Sequence, residues 1–299
     1  SPDGARTITY NGEIYNYVEL RAQLEALGRW VAGGSDTGVL LAALAEWGTG
    51  ALARLNGMWA FGLWDAAQRR LLLSRDRFGV KPLYYRHGPG GFAFASEPKA
   101  LLALYPDHRA VDETTLLRFL ANNELHSHDA SFYAGIHVLP PAHCLQYDPE
   151  TGRIAIERYW QYPERGDASV DAVAACEQFA GLFEDAVQLR LRSDVQVGVT
   201  LSGGLDSTAV LTAAARHGRR APHCFTSVYG DGSSGELDWA QRAASVVSAD
   251  LEPASAPQDG WLTTLPEIAW HMDGPGYSPA VYPLWCLMRQ ARAANVPVL

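Results

Sequence analysis

The residues with the clearest chemical potential form the hexapeptide SGGLDS at positions 202–207. Its glycines let the backbone come close to a bulky anion, and the N–H groups of a following helix would point at that anion. No lysine follows, so this is not a Walker loop. Asp206 would repel a phosphate unless Mg²⁺ lay between them. The alternative is an ordinary turn in which Asp206 and Ser207 cap the helix. The candidate phosphate-binding residues are Ser202, Gly203, Gly204, Asp206 and Ser207, with Asp206 as the metal ligand.

A second group of polar residues lies near the start of the sequence. The segment NGEIYN occupies residues 11–16, and Asp36 follows Gly34 and Ser35. Taken alone, Asn-Gly after a strand is the commonest hairpin turn, and Asp36 is a good helix N-cap. Both interpretations are purely structural. The carboxylates of Glu13 and Asp36 would also suit an ammonium group, through charge-assisted hydrogen bonds.

Five segments resemble one protein family, in the same order along the chain. The first four are similar to class II glutamine amidotransferases, and the last is similar to the phosphate loop of ATP pyrophosphatases. Their combination resembles the glutamine-hydrolysing asparagine synthetase family. The segments are NGEIYN at 11–16, GSDT at 34–37, RDRFGVKPLYY at 75–85, FASEPKAL at 94–101 and SGGLDS at 202–207.

The resemblance implies an α+β domain followed by an α/β domain. The first would be a glutaminase domain over residues 1–160, with the four-layer αββα fold of N-terminal-nucleophile hydrolases. The second would be an ATP pyrophosphatase domain over residues 172–299, with a doubly wound parallel sheet. Residues 161–171 are polar and contain proline and glycine, which predicts a linker.

The resemblance also assigns roles in glutamine hydrolysis. Two donors would stabilise the tetrahedral oxyanion: the side-chain amide of Asn11 and the N–H of Gly12. Glu13 and Asp36 would bind the α-ammonium group of glutamine. The family's nucleophile is an N-terminal cysteine well upstream of NGEIYN, and none of the four cysteines precedes Asn11. We therefore expect an internal fragment. One departure is Gly38, where the family usually has glutamate.

For the second domain the resemblance implies ATP and Mg²⁺. The β-carboxylate of aspartate would be converted to β-aspartyl-AMP, and ammonia from glutamine would then give asparagine. The phosphates would lie on residues 202–207, and Leu201 and Val228 would contact the adenosine. In open parallel sheets ligands bind at the C-terminal ends of the strands. The remaining nucleotide motif and the synthetase catalytic residues are expected beyond Leu299.

Two other functions stay open at this point. One is a related amidotransferase or cyclase that acts on a different carboxylate, either β-lactam synthetase-like or peptide-cyclising. An intact NGE segment and Asp36 favour glutamine hydrolysis, since cyclising relatives tend to lose that site. The other is a non-catalytic family member that has kept the fold.

The segments at 75–85 and 94–101 carry several charges among apolar residues. We interpret them as mainly structural, with a buried ion-pair network and a contact to the second domain. Structural charge networks imitate active sites, so charge alone does not indicate catalysis.

Hydrophobic periodicity predicts the elements that position these residues. The first part combines helices with short antiparallel strands, and the second alternates strands and helices, which indicates a parallel sheet. The predicted helices are 17–27, ending at Gly28, then 36–47, 170–187, 206–217 and 236–247. The predicted strands are 7–10, ending at Asn11-Gly12, then 58–64, 71–74, 83–86, 92–95, 197–201, 224–228 and 296–299.

Composition and charge argue against some classes of binding partner. Lys and Arg total 24 against 33 Asp and Glu, and the net charge of -9 argues against a nucleic-acid surface. No apolar stretch approaches the roughly 18 residues of a membrane span. The four cysteines are widely scattered, which fits a reducing cytoplasm. The expected partners are glutamine, aspartate and ATP, with neither nucleic acid nor membrane, and a homodimer is left open.

One histidine cluster has the residue types of a metal site. His126, His128 and Asp129 lie close in sequence. Their spacing suits no single helix face, so an exposed loop is favoured over a metal centre.

Overall fold

The computed structural model describes residues 1, 3–29, 31, 33–125, 129–164, 166, 171–218, 221–229, 235–276 and 278–299. The chain divides into two compact units, residues 1–166 and 167–299. Within the described ranges, no helix combines the length and apolar character that crossing a bilayer requires. His126, His128, Val170 and part of the predicted linker lie outside the described residues.

The first unit contains two antiparallel sheets. Its strands are β1 (Arg6–Ile14), β2 (Gly57–Asp65), β3 (Arg70–Arg75), β4 (Tyr84–Gly88), β5 (Gly91–Ala95), β6 (His137–Val138), β7 (His143–Asp148) and β8 (Arg153–Arg158). Its helices are α1 (Tyr17–Ala26), α2 (Asp36–Trp47), α3 (Pro98–Leu104) and α4 (Glu113–Asn122), with a 3₁₀ turn at Gly48–Ala51. The larger sheet is ordered β1-β2-β3-β7-β8 and the smaller β5-β4-β6.

Three hydrophobic clusters stack these elements in layers. Leu24 of α1 and Leu40 of α2 pack with Trp59 on the larger sheet. Leu73 of the larger sheet packs with Tyr85 of the smaller one. The opposite face of the smaller sheet packs against α3. The order is helices, sheet, sheet, helix, which agrees with the layered α+β arrangement that the sequence predicts.

The strand predicted to end at Asn11-Gly12 instead continues to Ile14, so the hairpin interpretation is wrong. Gly12 pairs with Trp59 in the middle of the β1–β2 ladder. A Cβ at Gly12 would overlap the carbonyl oxygen of Met58 and lie 2.8 Å from the Cα of Trp59. This glycine therefore permits a close approach of two strands.

The charged segment 75–85 also differs from the prediction. Asp76 is fully buried, and its carboxylate accepts the backbone N–H groups of Trp59, Phe78, Val80 and Lys81. The Arg75 guanidinium donates to the carbonyl oxygens of Gly79, Lys81 and Leu139. The predicted buried ion-pair network is wrong here, because the loop folds around both charges and supplies backbone partners. In segment 94–101, Lys99 and Glu97 do pair at 3.1 Å, but Glu97 is exposed.

The second unit alternates helices with parallel strands, as predicted. Its helices are α5 (Ala172–Arg190), α6 (Leu205–His217), α7 (Gly235–Val246), α8 (Trp261–Met272) and α9 (Val281–Ala293), with a 3₁₀ turn at Gln258–Gly260. Its strands are β9 (Gly198–Thr200), β10 (His223–Tyr229) and β11 (Asp250–Ala256), ordered β11-β10-β9. Cys224 packs with residues of α6 and α7, and Phe225 packs with α9, so both faces of the sheet are covered.

The strand predicted over residues 296–299 is wrong. Val298 makes a single parallel bridge to Val197, and residues 297–299 are exposed. Val296 is buried, but it packs with the cluster around α9. In this apolar run, Val296 therefore contributes to the core and Val298 contributes one bridge, without forming a strand.

The long helix predicted over residues 170–187 corresponds to α5. Its apolar residues are not all buried, since Val173, Phe179 and Leu182 are exposed. Val187 is buried and packs with the core of the second unit. The amphipathic pattern thus located the helix correctly, but only its C-terminal part packs as the pattern implied.

Candidate functional site

The predicted glutamine-binding residue Asp36 is the first residue of α2. The N-cap is Ser35, whose hydroxyl accepts the N–H of Gly38 at 3.4 Å, so the alternative in which Asp36 caps the helix is wrong. The Asp36 carboxylate instead reaches β1. Its Oδ2 accepts the hydroxyl of Tyr10 at 2.8 Å and the N–H of Ile14 at 3.0 Å.

The backbone of β1 is open on the side that faces Asp36, because β1 is an edge strand. Tyr15 donates its N–H inward to Asn56 at 2.8 Å, whereas Ile14 donates outward to Asp36. In antiparallel pairs consecutive residues alternate between the inner and outer side. Gly12 therefore presents its N–H on the same outer edge as Ile14. One strand edge thus carries a backbone donor and a carboxylate, which suits an amide oxygen and an ammonium group.

Asn11 and Glu13 point to one face of β1, because side chains alternate along a strand. Tyr10 packs on the other face, against the cluster beneath α1 and α2. The Nδ2 of Asn11 donates to the hydroxyl of Ser96 at 3.3 Å, just after β5. Glu13 is exposed. The structure therefore gathers the predicted residues of the first unit along a short stretch of β1 and its edge.

Sequence reasoning missed two residues that contact this stretch, Tyr10 and Ser96. Ser96 lies in the segment 94–101, whose charges indicate a structural role, and Tyr10 lies at the predicted end of a strand. Burial, followed by the charge of Asp36, raises the pKa of the Tyr10 phenol well above its usual range. Its hydroxyl therefore stays protonated and donates. Only the position of α2 relative to β1 reveals this contact.

The buried cysteines do not provide a nucleophile. Cys144 belongs to the core beneath α1 and α2, and Cys224 belongs to the core of the second unit. Burial raises the pKa of both thiols, that of Cys224 to about 11. Because the thiolate is the reactive form, these two residues are inert at neutral pH.

The predicted phosphate loop connects β9 to α6. Gly204 is the N-cap of α6, so the alternative in which Asp206 and Ser207 cap the helix is wrong. Gly203 has a φ of +75°, which side chains of L-residues rarely adopt. A Cβ at this position would lie 2.5 Å from the Cβ of Trp239 on α7. The loop therefore needs glycine for both its left-handed turn and its packing.

Two serine hydroxyls organise the inside of this loop. The Oγ of Ser207 accepts the N–H of Ser202 at 3.3 Å, and the two hydroxyl oxygens lie 3.1 Å apart. The Oγ of Ser202 also accepts the N–H of Gly204 at 3.3 Å. These N–H groups are therefore directed into the loop, at the N-terminus of a helix. A phosphate oxygen could replace the serine oxygens as their acceptor.

Of the two predicted adenosine contacts, Leu201 directly follows β9, and Val228 lies on the neighbouring strand β10. Leu201 is buried and donates its N–H to the carbonyl of Phe225 at 2.8 Å. Phe225 pairs with Thr200, so Val228 lies further toward the C-terminal end of β10. Leu201 and Val228 are therefore both near the C-terminal ends of the parallel strands, where the loop begins.

The acidic residue of the loop fits a nucleotide-bound cation. Among the described residues, no three His, Cys, Asp or Glu side chains form a metal cluster. Asp206 is exposed in the first turn of α6. Mg²⁺ usually binds one or two carboxylates plus phosphate oxygens and waters. A single carboxylate beside a phosphate loop fits that ligand set.

Comparisons with known proteins match both units. The family described as "Glutamine amidotransferase domain" matches residues 1–160, and the family "Asparagine synthase" matches residues 178–299. A Mycobacterium tuberculosis (strain H37Rv) protein, provisionally named a glutamine-hydrolyzing asparagine synthetase, is 37% identical over 295 residues, or 95% of this chain and 44% of that protein. Glutamine-hydrolyzing asparagine synthetase 3 of Bacillus subtilis is 39% identical over 230 residues, or 75% and 36%.

A third relative carries a different name. "Amidase chyE" of Penicillium rubens is 30% identical over 284 residues, which is 89% of this chain and 41% of that protein. The chain spans less than half the length of each of these three relatives. The two family matches cover most of both compact units and include residues 11–16 and 202–207. The chain therefore belongs to the glutamine-hydrolysing asparagine synthetase family, with a glutamine amidotransferase domain followed by an asparagine synthase domain.

Proposed function

We propose that the whole protein is a glutamine-hydrolysing asparagine synthetase, an ATP-dependent ligase. The observation that carries this proposal is that one chain combines two features with complementary chemistry. The open edge of β1 beside Asp36 suits a free amino acid with an amide. The glycine-rich loop before α6 suits a phosphate chain. The first site would release ammonia, and the second would activate a carboxylate to receive it.

In the first reaction, water and glutamine give glutamate and ammonia. The side-chain amide of Asn11 and the N–H of Gly12 would stabilise the oxyanion. Asp36 and Glu13 would hold the α-ammonium group. The nucleophile would be the N-terminal cysteine of the family, and the first unit would have the N-terminal-nucleophile hydrolase fold.

In the second reaction, the β-carboxylate of aspartate attacks the α-phosphorus of ATP and releases pyrophosphate. Ammonia then attacks the acyl carbon and AMP leaves, which gives asparagine. The N–H groups of Ser202 and Gly204 and the hydroxyl of Ser207 would hold the phosphates, and Asp206 would hold Mg²⁺. Leu201 and Val228 would contact the adenosine, in a sheet of the ATP pyrophosphatase type.

We also propose a reducing compartment such as the cytoplasm as the site of action. All four cysteines are free, and two of them are buried. Disulfides are rare in reducing compartments, so their absence among these residues fits this assignment.

Product analysis tests the proposal. The whole protein is incubated with glutamine, Mg²⁺-ATP and aspartate, and in parallel with other carboxylates. We expect asparagine, glutamate, AMP and pyrophosphate in equal amounts. Consumption of another carboxylate with no asparagine would show that the acceptor assignment is wrong. Absence of turnover with every carboxylate would indicate a non-catalytic family member.

A further inference from the structure

The hydroxyl of Tyr10 makes a contact that packing does not explain. The Tyr10 ring packs with the cluster beneath α1 and α2, while its hydroxyl donates to Oδ2 of Asp36 at 2.8 Å. Phenylalanine would fill the same apolar space. Packing therefore accounts for the ring, whereas the hydroxyl contributes the hydrogen bond to the Asp36 carboxylate.

We propose that Tyr10 is a positioning residue that fixes the Asp36 carboxylate for the α-ammonium group of glutamine. This inference rests on the proposed function. Oδ2 is held by two donors, Tyr10 and the N–H of Ile14 at 3.0 Å, which restricts rotation of the carboxylate. Oδ1 receives the more distant hydroxyl of Thr37 at 3.3 Å. Oδ1 is therefore the better placed oxygen for a cation.

The helix dipole does not account for this arrangement. Asp36 lies in the first turn of α2, where a negative charge stabilises the helix without any help from a tyrosine. The phenol of Tyr10 stays protonated beside the carboxylate, because burial and the Asp36 charge both oppose its ionisation. It is thus a permanent neutral donor, which is what a residue that orients an anion requires.

Tyr10 also connects the two ends of the predicted substrate site. A Cβ at Gly12 would lie 3.0 Å from Cε2 of Tyr10, so the ring covers the backbone that carries the predicted oxyanion donor. The same side chain reaches Asp36 through its hydroxyl. Tyr10 therefore contacts both the predicted amide end and the predicted ammonium end of the site. This geometry selects amides that carry an α-ammonium group.

The test compares two amides in the whole protein carrying Tyr10→Phe. One is glutamine, and the other is 5-amino-5-oxopentanoate, which is glutamine without its α-amino group. We expect kcat/KM for glutamine to fall about tenfold, mainly through KM; this corresponds to about 1.4 kcal/mol. Hydrolysis of 5-amino-5-oxopentanoate should not change, since it has no ammonium group for Asp36 to bind.

Two control variants isolate the hydroxyl. Tyr17→Phe removes a hydroxyl from another tyrosine that packs on the same cluster, and we expect it to leave both amides unaffected. Adding Tyr10→Phe to Asp36→Asn should cause no further loss with glutamine, because residues that act through one another are not additive.

Three results would count against the inference. Equal losses with both amides would show that Tyr10 is merely structural. An unchanged KM for glutamine in Tyr10→Phe would show that the hydroxyl does not position Asp36. A full loss added on top of Asp36→Asn would show that the two residues act independently. If the unmodified protein released no glutamate, the proposed function would fail first, and this inference with it.

Discussion

Asp36 and Asp76 belong to two of the segments that resemble the family, 34–37 and 75–85, but their surroundings differ. Asp76 is completely buried and accepts four backbone N–H groups, so its charge is used by the fold. Asp36 is partly exposed at a strand edge, and Oδ1 remains available beside Thr37. From the sequence alone, both aspartates are candidates for a functional role. Only burial distinguishes a carboxylate that holds a loop from one that could hold a substrate.

The first residue-scale prediction concerns Asp36→Asn and Glu13→Gln in the whole protein. Each change would remove the proposed charge-assisted hydrogen bond to the substrate ammonium, at a cost of about 1.5–3 kcal/mol. We expect a higher KM for glutamine and unchanged synthesis with ammonium chloride, measured as asparagine formed. Equal losses with both nitrogen donors would mark these residues as structural.

The second residue-scale prediction concerns Asp76→Asn. Each carboxylate oxygen accepts two backbone N–H groups, so an amide nitrogen in place of either oxygen loses two buried hydrogen bonds and faces two donors. We expect a destabilisation of about 3 kcal/mol or more, seen as a lower urea midpoint. Asp107→Asn, at an exposed position, is the matched control. Equal midpoints for the two variants would contradict the importance of this buried carboxylate.

At the scale of elements, sequence patterns predict the helices and turns that depend on residues close together in the chain. α1 and α2 follow from apolar spacing, and the loop before α6 follows from its glycines. The end of β1 was mispredicted because pairing with β2 overrides the turn preference of Asn-Gly. β11 was not predicted because Pro253 interrupts its pattern, and proline is tolerated there since β11 is an edge strand. Pairing with distant strands determines where β1 ends and whether β11 forms, and this pairing cannot be recognised in the local sequence.

The same limit applies to the candidate site. The motif residues Asn11, Gly12, Asp36 and Asp206 were predicted by type and order along the chain. Tyr10 and Ser96 became visible only when their hydroxyls were placed beside Asp36 and Asn11. A hydroxyl that orients another side chain has no signature of its own in sequence, because its partner lies on a different element.

The element-scale prediction concerns the phosphate loop. Gly203→Ala forces a side chain into a left-handed conformation, at a cost of about 1–2 kcal/mol, and into contact with Trp239. We expect weaker Mg²⁺-ATP binding by calorimetry and a lower urea midpoint. Gly204→Ala is the control, because its nearest neighbour would be the Ser202 hydroxyl at 3.3 Å and its φ is negative. Equal effects would mean that the left-handed turn is not what shapes the loop.

At the scale of the whole molecule, the change from antiparallel to parallel strands separates the two candidate sites. The first unit carries the strand edge with Asp36, and the second carries the phosphate loop with Asp206. The candidate residues named for each site all belong to one unit. Damage to one site should therefore leave the other reaction intact, apart from the supply of ammonia.

The most direct test of this account measures both half-reactions in two variants of the whole protein. The readouts are glutamate release from glutamine and asparagine synthesis from ammonium chloride with Mg²⁺-ATP and aspartate. Asn11→Ala should lower glutamate release by about 10²–10³-fold, as expected for loss of an oxyanion donor, and should spare ammonia-dependent synthesis. Asp206→Asn should abolish ammonia-dependent synthesis and spare glutamate release. If either variant impaired both reactions to the same degree, the assignment of one reaction to each unit would be contradicted.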